Sequence, residues 1–415
     1  MKMSLSILFI EGALNTLNIN NISKMIKTRI IIFVFFSFLL FCCKNKDEQK
    51  SNNVSTETKK NNTEEPKDTL LKTATLKDFF LGESSFNNSV DKFFNSLNDT
   101  ERIAQMIMTS AGTKGKPLET VKKLVLNKKV GGVIIMGGSK ESFKAIIVEL
   151  DSAVKKNSSL PMFYSVDAEP GFVGSRIRGT KTFPPQSNIK SSAESDSIAG
   201  KISRILNDIG LNINFAPVCD ISVNKEIISD RSFGNDSKKI IDYSSAFIKS
   251  TQNNNIIATA KHFPGHGNVK GDSHKELVFI DGKLTELETF KEIINLGVDA
   301  VMVGHIAVKN NLEYDTQGLP ASLSKKIVTD LLRNKLGFKG LIITDALNMG
   351  AVTKIDKPSL KAALAGCDIL LMPTDEVKLI NSILAEMNKN TDFKKQVYES
   401  VRRIIRAKIC LGLIK

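Results

Sequence analysis

The sequence is poor in the residues that build metal sites and disulfide frameworks. It has five cysteines in 415 residues, and none of them forms a Cys-x-x-Cys pair or another spacing typical of metal ligands. Cys219, Cys367 and Cys410 lie far apart in apolar surroundings, so we predict that they are buried thiols. Neither a disulfide framework nor a structural zinc site is expected from this pattern.

Arginine-rich runs with interleaved aromatic residues are also missing. The formal net charge is +14, from 58 Lys and Arg against 44 Asp and Glu, a balance that by itself would suggest nucleic-acid binding. The positive charge is instead dispersed over the whole chain, and no nucleic-acid-binding motif occurs. We therefore predict no nucleic-acid partner, while attraction to anionic cell-wall polymers is compatible with this charge.

No apolar run is long enough for a transmembrane helix, which takes about 20 apolar residues. The run from Ile30 to Phe41 follows Lys27 and Arg29, and Met25 begins this segment. A basic start followed by a short apolar stretch is typical of a secretory signal. We predict that the chain is exported.

Two adjacent cysteines, Cys42 and Cys43, end the apolar run and resemble a bacterial lipoprotein processing site. Cys43 is the candidate for lipidation because the residue before it is small, whereas Cys42 follows the bulky Phe41. This resemblance implies a membrane-anchored lipoprotein of the cell envelope, with residues 1–43 as its signal segment. Residues 44–88 are rich in Lys, Asn, Glu, Thr and Ser, and they are predicted to be a flexible polar tether.

Residues 89–415 alternate between short apolar runs and amphipathic helical patterns. Such near-continuous apolar runs are typical of strands buried on both faces. The eight runs are 106–112, 130–138, 161–169, 212–221, 257–265, 298–306, 340–347 and 368–374. Eight strands that are each followed by a helix predict an α/β fold of the (β/α)8 TIM-barrel type. A doubly wound open sheet is the alternative, although no Gly-rich phosphate fingerprint opens any helix.

Polar residues cluster at the C-terminal ends of these predicted strands. A single aspartate in such a position is more often a helix N-cap than a catalyst. In a barrel, however, these ends all point to the face that carries the active site. The clustered residues are Asp167, Glu169, Asp220, Lys261, His262, His305, Thr344 and Asp345.

The chain has four histidines, and three of them lie in residues 261–274, KHFPGHGNVKGDSH. A zinc site is one interpretation, but the glycines favour a mobile loop, with Gly265, Gly267 and Gly271 as hinges. In an extended segment Asp272 and His274 project to the same side, so the carboxylate can orient the imidazole. Such a dyad suits general acid/base catalysis, whereas a surface Asx-turn is the alternative.

Several segments together resemble the β-N-acetylglucosaminidase branch of glycoside hydrolase family 3. The signature is residues 261–274, and the resemblance extends from about residue 90 to about residue 400. The other matching segments are 215–221 (FAPVCDI), 231–233 (RSF) and the nucleophile strand 343–349 (ITDALNM). The resemblance implies a carbohydrate substrate and no cofactor or metal.

Carried over to this sequence, the resemblance implies that Asp345 is the nucleophile and that His274, paired with Asp272, is the acid/base. It also implies hydrogen bonds to the sugar of the first subsite from Asp167, Arg231, Lys261 and His262. Arg176 is a further candidate ligand. The family usually reads Asp-x-Glu-Gly-Gly-Arg, whereas residues 167–176 read DAEPGFVGSR, so the spacing of this arginine differs.

The expected reaction is hydrolysis with retention of the β configuration through a covalent glycosyl-aspartate. About 40 residues follow the last predicted strand, so we expect one catalytic domain. The larger β-glucosidases of this family take their acid/base from a second α/β domain, so this expectation favours His274. The expected substrates are peptidoglycan fragments or chitooligosaccharides with terminal N-acetylglucosamine.

Two other functions fit the same residues. Phosphate could attack the glycosyl-enzyme in place of water, and a histidine tolerates that anion better than a carboxylate does. The chain would then be an N-acetylglucosaminide phosphorylase. The alternative of a lipid-anchored carbohydrate-binding protein without catalysis is less favoured, because Asp272, His274 and Asp345 are all present.

Overall fold

The computed structural model describes residues 74–80, 84–223 and 227–415. The predicted signal segment, the lipidation candidate Cys43 and the tether before residue 74 lie outside the described residues. Within the described part of the chain, no helix combines the length and the apolar character needed to cross a membrane.

Eight parallel strands form a nearly closed barrel. They are β1 (Ile107–Ala111), β2 (Gly132–Ile135), β3 (Phe163–Val166), β4 (Ile213–Asn214), β5 (Ile257–Phe263), β6 (Ala300–Val303), β7 (Leu341–Thr344) and β8 (Leu370–Leu371). Strands β1 to β7 pair in sequence order, and β8 pairs with β1. A parallel bridge between Ile343 and Ile369 brings β7 and β8 together. The predicted barrel is confirmed, and the open-sheet alternative is wrong because the two edges meet.

Each strand lies inside one of the eight apolar runs that the sequence predicts. The strand residues are buried throughout, for example all seven of Ile257–Phe263 and all four of Leu341–Thr344. Apolar side chains on one face fill the barrel interior, and those on the other face pack under the helices, which explains the continuous hydrophobicity.

A helix follows every strand, and within the described residues two more α-helices precede β1. They are α1 (Ser84–Asn95), α2 (Asp99–Gln105), α3 (Leu118–Leu126), α4 (Lys140–Asn157), α5 (Ser192–Ile209), α6 (Ser237–Asn253), α7 (Leu287–Asn295), α8 (Lys326–Lys335, with π-helical hydrogen bonding), α9 (Pro358–Ala365), α10 (Glu376–Met387) and α11 (Thr391–Cys410). Many begin at a side-chain cap, such as Ser191 on the amide of Glu194 at α5. The caps satisfy helix N–H groups that have no partner in the helix.

Two short parallel ribbons lie beside the strand ends. Gly138–Ser139 pairs with Ile177–Arg178, and Val278–Asp281 pairs with Ile306–Lys309. The second ribbon joins the segment after the histidine-rich loop to the segment after β6. It therefore ties together two loops that the sequence places at the site.

Ordered structure reaches upstream of the predicted domain boundary at residue 89. Helix α1 spans that position, and the earlier residues Leu76 and Phe79 are buried in the core. These two apolar side chains pack against the barrel's helical layer. The folded domain therefore begins before residue 89, within the segment predicted to be a tether.

Candidate active site

The predicted site residues lie at the C-terminal ends of neighbouring barrel strands. Asp167 follows β3, Lys261 and His262 lie at the end of β5, and Asp345 follows β7 directly. Parallel strands direct these ends to one face, so the barrel brings the side chains together. Arg231 comes from a short 3-10 helix, Ser229–Arg231, in the loop after β4.

Lys261 and Arg231 hold a buried carboxylate, Glu169, at the base of the site. The Nζ of Lys261 lies 2.6 Å from Oε1 of Glu169 and 2.8 Å from Oδ1 of Asp167. Arg231 donates two hydrogen bonds to Glu169, from Nε at 2.9 Å and from Nη2 at 2.8 Å. Burial favours the neutral acid, but the charges of Arg231 and Lys261 hold the pKa of Glu169 far below its ordinary value. The cluster therefore keeps its charges at neutral pH.

Asp220 orients His262 from below. Its carboxylate lies 2.6 Å from Nδ1 of His262 and accepts hydrogen bonds from the amides of His262 and His266, the latter at 2.7 Å. Burial opposes ionisation, yet the contacts with His262 and His266 lower the pKa of Asp220. An ionised Asp220 requires a proton on Nδ1 of His262, which leaves Nε2 for a ligand.

Asp345 is fixed by its own loop and by a buried histidine, His305. The amide of Ala346 donates to Oδ1 of Asp345 at 2.8 Å. Nε2 of His305 donates to the Ala346 carbonyl at 3.0 Å, and Nδ1 lies 2.7 Å from the Ser322 hydroxyl. Burial raises the pKa of Asp345, but His305, His262 and the Ala346 amide bring it below its ordinary value. Asp345 is therefore a half-buried, ionised carboxylate at the strand end.

The predicted contact between Asp272 and His274 is present. Nδ1 of His274 lies 2.8 Å from Oδ1 of Asp272, and the ring is 58% exposed. The segment is a turn, not the extended strand that the sequence argument assumed, because the Asp272 carbonyl accepts from the Lys275 amide at 3.0 Å. Asp272 also accepts from the amide of His274, as in an Asx-turn. The turn and the dyad therefore exist together.

Arg176 ends a four-residue helix, Val173–Arg176, in the loop after β3. In the part of the chain that the structure describes, its side chain makes no hydrogen bond or ion pair. The Lys261, Glu169 and Arg231 cluster does not include it. The structure therefore does not join this arginine to the other predicted residues.

The glycines of the histidine-rich loop have different roles. Gly265 and Gly271 have positive φ values of 128° and 93°, a conformation that favours glycine. Gly267 has no such φ, but a Cβ at this position would lie 2.1 Å from the carbonyl oxygen of Ile221. Close packing against Ile221 therefore explains why residue 267 is a glycine. The predicted hinge role is not needed to explain it.

Glu286, at the N-cap position of helix α7, is a residue of the site that the sequence does not reveal. This buried carboxylate accepts hydrogen bonds from the amides of Ile221 at 2.8 Å, Gly267 at 3.0 Å and Asn268 at 3.3 Å. Burial and the charge of Asp220 raise the pKa of Glu286 to about 8. Glu286 joins the loops after β4 and β5, but in the sequence it resembles any acidic residue at a helix start.

No group of three or more His, Cys, Asp or Glu side chains in residues 74–80, 84–223 and 227–415 could hold a metal ion. His262, His266 and His274 instead contact Asp220, Ser273 and Asp272.

The chain is similar in sequence to known bacterial proteins. Beta-hexosaminidase A of Pseudoalteromonas piscicida is 30% identical over 329 residues, which cover 69% of this chain and 54% of that protein. A beta-hexosaminidase of Tolumonas auensis is 34% identical over 266 residues, covering 60% of this chain and 77% of the relative. The chain thus spans about half the length of the first relative and most of the second.

A solved structure agrees with these relatives. The family 3 beta-N-acetylglucosaminidase of Paenibacillus sp. strain FPU-7 superposes with a TM-score of 0.70 at 28% identity. The superposition covers 76% of this chain and 63% of that protein. The description "Glycosyl hydrolase family 3 N terminal domain" matches residues 99–407, which is most of the chain. This protein therefore belongs to glycosyl hydrolase family 3 and is a glycoside hydrolase.

Proposed function

We propose that this protein is a retaining exo-β-N-acetylglucosaminidase that releases terminal β-linked N-acetylglucosamine. The observation that carries the proposal is the pairing of two different groups at one barrel face. Asp345 is an ionised carboxylate at a strand end, and His274 is an exposed imidazole held by Asp272. The relatives named beta-hexosaminidase and beta-N-acetylglucosaminidase support the sugar class.

In the first step, a carboxylate oxygen of Asp345 attacks the anomeric carbon. The bond from that carbon to the leaving oxygen breaks, and His274 gives its proton to that oxygen. Oδ1 of Asp345 accepts from the Ala346 amide, whereas Oδ2 makes no hydrogen bond within the described residues. Oδ2 is therefore the better nucleophile.

In the second step, water attacks the glycosyl-aspartate and His274 takes the proton of that water. The bond between the sugar and Asp345 breaks, and two displacements give overall retention. Asp272 favours the imidazolium that forms in this step, and its own pKa is lowered despite partial burial because it accepts from the amide and ring of His274.

The first subsite is proposed to bind the sugar through Lys261, His262, Arg231 and Asp167. Glu169 fixes Lys261 and Arg231, and Asp220 fixes His262. Such preorganised partners select for sugar hydroxyls, because a ligand without them would leave buried polar groups unpaired. Arg176 is proposed only as a ligand at the rim.

The natural substrates are proposed to be peptidoglycan fragments, with chitooligosaccharides second. The support is the predicted export signal, which would bring the enzyme close to the cell wall. Lipidation at Cys43 would anchor the enzyme in a membrane of the envelope, with the polar residues that follow Cys43 as the tether. Metabolic labelling with palmitate tests this anchor: Cys43→Ala should lose the label, and Cys42→Ala should keep it.

The decisive experiment is hydrolysis of 4-nitrophenyl N-acetyl-β-glucosaminide by the full chain. Asp345→Ala should lose almost all activity, whereas His274→Ala should lose less because nitrophenolate leaves with little protonation. Turnover of the corresponding glucoside alone would overturn the sugar class. Release of sugar 1-phosphate in phosphate buffer would replace hydrolysis by phosphorolysis. Absence of turnover on every glycoside would favour a binding protein.

A further inference from the structure

We propose that Ser273 and His266 are positioning residues that seat the loop carrying the acid/base. Nε2 of His266 lies 2.8 Å from the hydroxyl of Ser273, which stands between Asp272 and His274. The inference rests on the proposed function, because it assigns a purpose to the neighbours of the proposed acid/base. It concerns residues that neither the reaction steps nor the first subsite use.

Ser273 is the buried residue of an otherwise solvent-accessible turn. It is 1% exposed, while the other residues from Gly271 to Leu277 are exposed or half-buried. Its hydroxyl is therefore the side-chain contact by which this turn is fastened to the protein interior. The orientation of the turn therefore depends in part on that contact.

His266, the other half of the contact, is rigidly held. It is 1% exposed, and its amide donates to the buried carboxylate of Asp220 at 2.7 Å. The next two amides, of Gly267 and Asn268, donate to Glu286. His266 is thus fixed to the barrel, and its hydrogen bond fixes the position of the Ser273 hydroxyl in turn.

A second contact joins the same turn to the loop of the nucleophile. The amide of Gly350 donates to the carbonyl of His274 at 3.0 Å. A Cβ at Gly350 would lie 2.4 Å from the carbonyl oxygen of Lys275, so the two backbones meet closely. The Ser273 contact and this one fix both ends of the dyad relative to Asp345.

Loss of the Ser273 contact should therefore resemble partial loss of the acid. A displaced His274 protonates poor leaving groups badly, whereas 2,4-dinitrophenolate leaves without protonation. General acid/base catalysis contributes roughly 10²- to 10⁴-fold. A merely structural role would lower the activity on both kinds of substrate by the same factor.

The test is Ser273→Ala in the full chain, assayed by kcat/KM on chitobiose and on the 2,4-dinitrophenyl N-acetyl-β-glucosaminide. We expect about a tenfold or greater fall on chitobiose and less than about a twofold fall on the activated substrate. His274→Ala is the benchmark for complete loss of the acid. On the activated substrate kcat, unlike kcat/KM, includes the second step, in which His274 acts as the base toward water. Azide attacks the glycosyl-enzyme without a general base, so it should restore the kcat of Ser273→Ala on this substrate.

Ser195→Ala is the matched control. Ser195 is fully buried in α5 and donates to the carbonyl of Tyr243 at 2.8 Å, away from the site. This variant also removes a buried hydroxyl, and both substrates should be turned over as by the wild type. Thermal melting of Ser195→Ala and Ser273→Ala compares their structural costs.

Substitutions of His266 sharpen the assignment. His266→Gln keeps a polar group near the position of Nε2 and should retain most activity on chitobiose, whereas His266→Asn falls short of Ser273. If His266 and Ser273 act through one bond, the double variant His266→Asn/Ser273→Ala should be no more leaving-group-dependent than either single variant.

Equal falls on the two substrates, or an unchanged chitobiose activity in Ser273→Ala, would overturn the inference. If Ser273→Ala does not fold, His266→Gln decides: equal falls in its kcat/KM on the two substrates would also overturn the inference. Failure of the proposed function is a different outcome, because His274→Ala would then show the same leaving-group dependence as the wild type, or the wild type would turn over neither substrate. The two failures are therefore distinguishable.

Discussion

The two ends of the barrel treat buried charge differently. At the C-terminal end, Glu169 and Asp220 are paired with Arg231, Lys261 and His262, and the pKa values of both acids are lowered despite burial. At the N-terminal end, no oxygen of the Asp299 carboxylate has a hydrogen-bond partner among the described residues. Burial raises the pKa of that acid well above its ordinary value.

Lys408 continues this contrast at the N-terminal end. It is fully buried, and its Nζ donates only to neutral acceptors in the described structure, Oε1 of Gln105 at 2.7 Å and the Gly131 carbonyl at 3.1 Å. Burial lowers its pKa to about 7. Chemistry on a sugar needs fixed charges, and the C-terminal end provides the partners that keep them. At the N-terminal end, Asp299 and Lys408 have no charged partner among the described residues, and burial favours their neutral forms.

Lys261→Met should have the largest effect, because it removes a buried cation from the C-terminal end of the barrel. It removes the partner of two carboxylates, and breaking a buried ion pair costs about 3 to 5 kcal/mol. Turnover of the nitrophenyl substrate should fall by at least about 100-fold, because sugar hydroxyls lose a charged partner. Chemical denaturation and kcat/KM measure the two effects.

The pH dependence of Lys261→Met follows from Glu169. Its folded pKa is depressed below the ordinary 4.5, so its ion-pair stabilisation is present above pH 4.5 and is lost as the pH falls through the folded pKa. The stability gap between wild type and variant should therefore narrow below pH 4.5. A gap independent of pH would contradict the ion-pair argument.

Asp368→Ala tests a paired charge at the opposite end. Asp368 precedes β8 and contacts Nη2 of Arg333 at 2.7 Å, Nη1 of Arg403 at 2.5 Å and the Ser400 hydroxyl at 2.7 Å. Because both arginines remain partly exposed, we expect a loss of about 2 to 4 kcal/mol in the free energy of unfolding.

The folded Asp368→Ala protein should keep the kcat/KM of the wild type at 25 °C, since the contact lies at the N-terminal end. Asp368→Asn, which retains hydrogen-bonding atoms, should lose less stability. A selective fall in kcat/KM without loss of stability would mean that the two ends are not independent.

The barrel itself was predictable because each buried strand is a short apolar run, and eight such runs are visible between Met106 and Thr374. The residue at which the folded domain begins was not predictable. Leu76 and Phe79 are two apolar residues in a polar stretch, and composition alone cannot reveal that both are buried. The sequence offered the Asx-turn at Asp272 and the dyad as alternatives, because it does not show that the hydrogen bonds of both form together.

The site was predictable where the residue type itself signals chemistry. Asp345, Lys261 and His262 lie at strand ends, and barrel geometry alone brings such residues together. Glu286 and Ser273 carry no such signal, because an acid at a helix start and a serine in a loop are common. Their importance comes from amides and rings that are distant in sequence, which only the folded chain brings within hydrogen-bonding distance.

Asp299→Asn tests the unpaired acid. The folded pKa of Asp299 lies above its unfolded value of 3.8, so the folded state binds more protons and stability falls as the pH rises above 3.8. Asparagine does not titrate. We expect the variant to be about 1 to 3 kcal/mol more stable than wild type at pH 7, and nearly equal at pH 3.5.

Urea denaturation at both pH values measures this difference. Asp330→Asn, at an exposed position of α8, is the control and should change little at either pH. A destabilised Asp299→Asn at pH 7 would mean that the Asp299 carboxylate is ionised and has a partner in the folded protein.

Lys408→Met should have the smallest effect. The folded pKa of about 7 lies below the unfolded 10.5, so the unfolded state binds more protons between these values and wild-type stability rises across pH 7 to 10.5. Methionine fills a similar volume without charge but leaves Gln105 and the Gly131 carbonyl unpaired. These effects oppose each other, so we expect a net change within about 1 kcal/mol at pH 7. Because methionine does not titrate, denaturation at pH 6, 8 and 10 should show a flatter stability profile for the variant; parallel profiles would mean that Lys408 remains charged when buried.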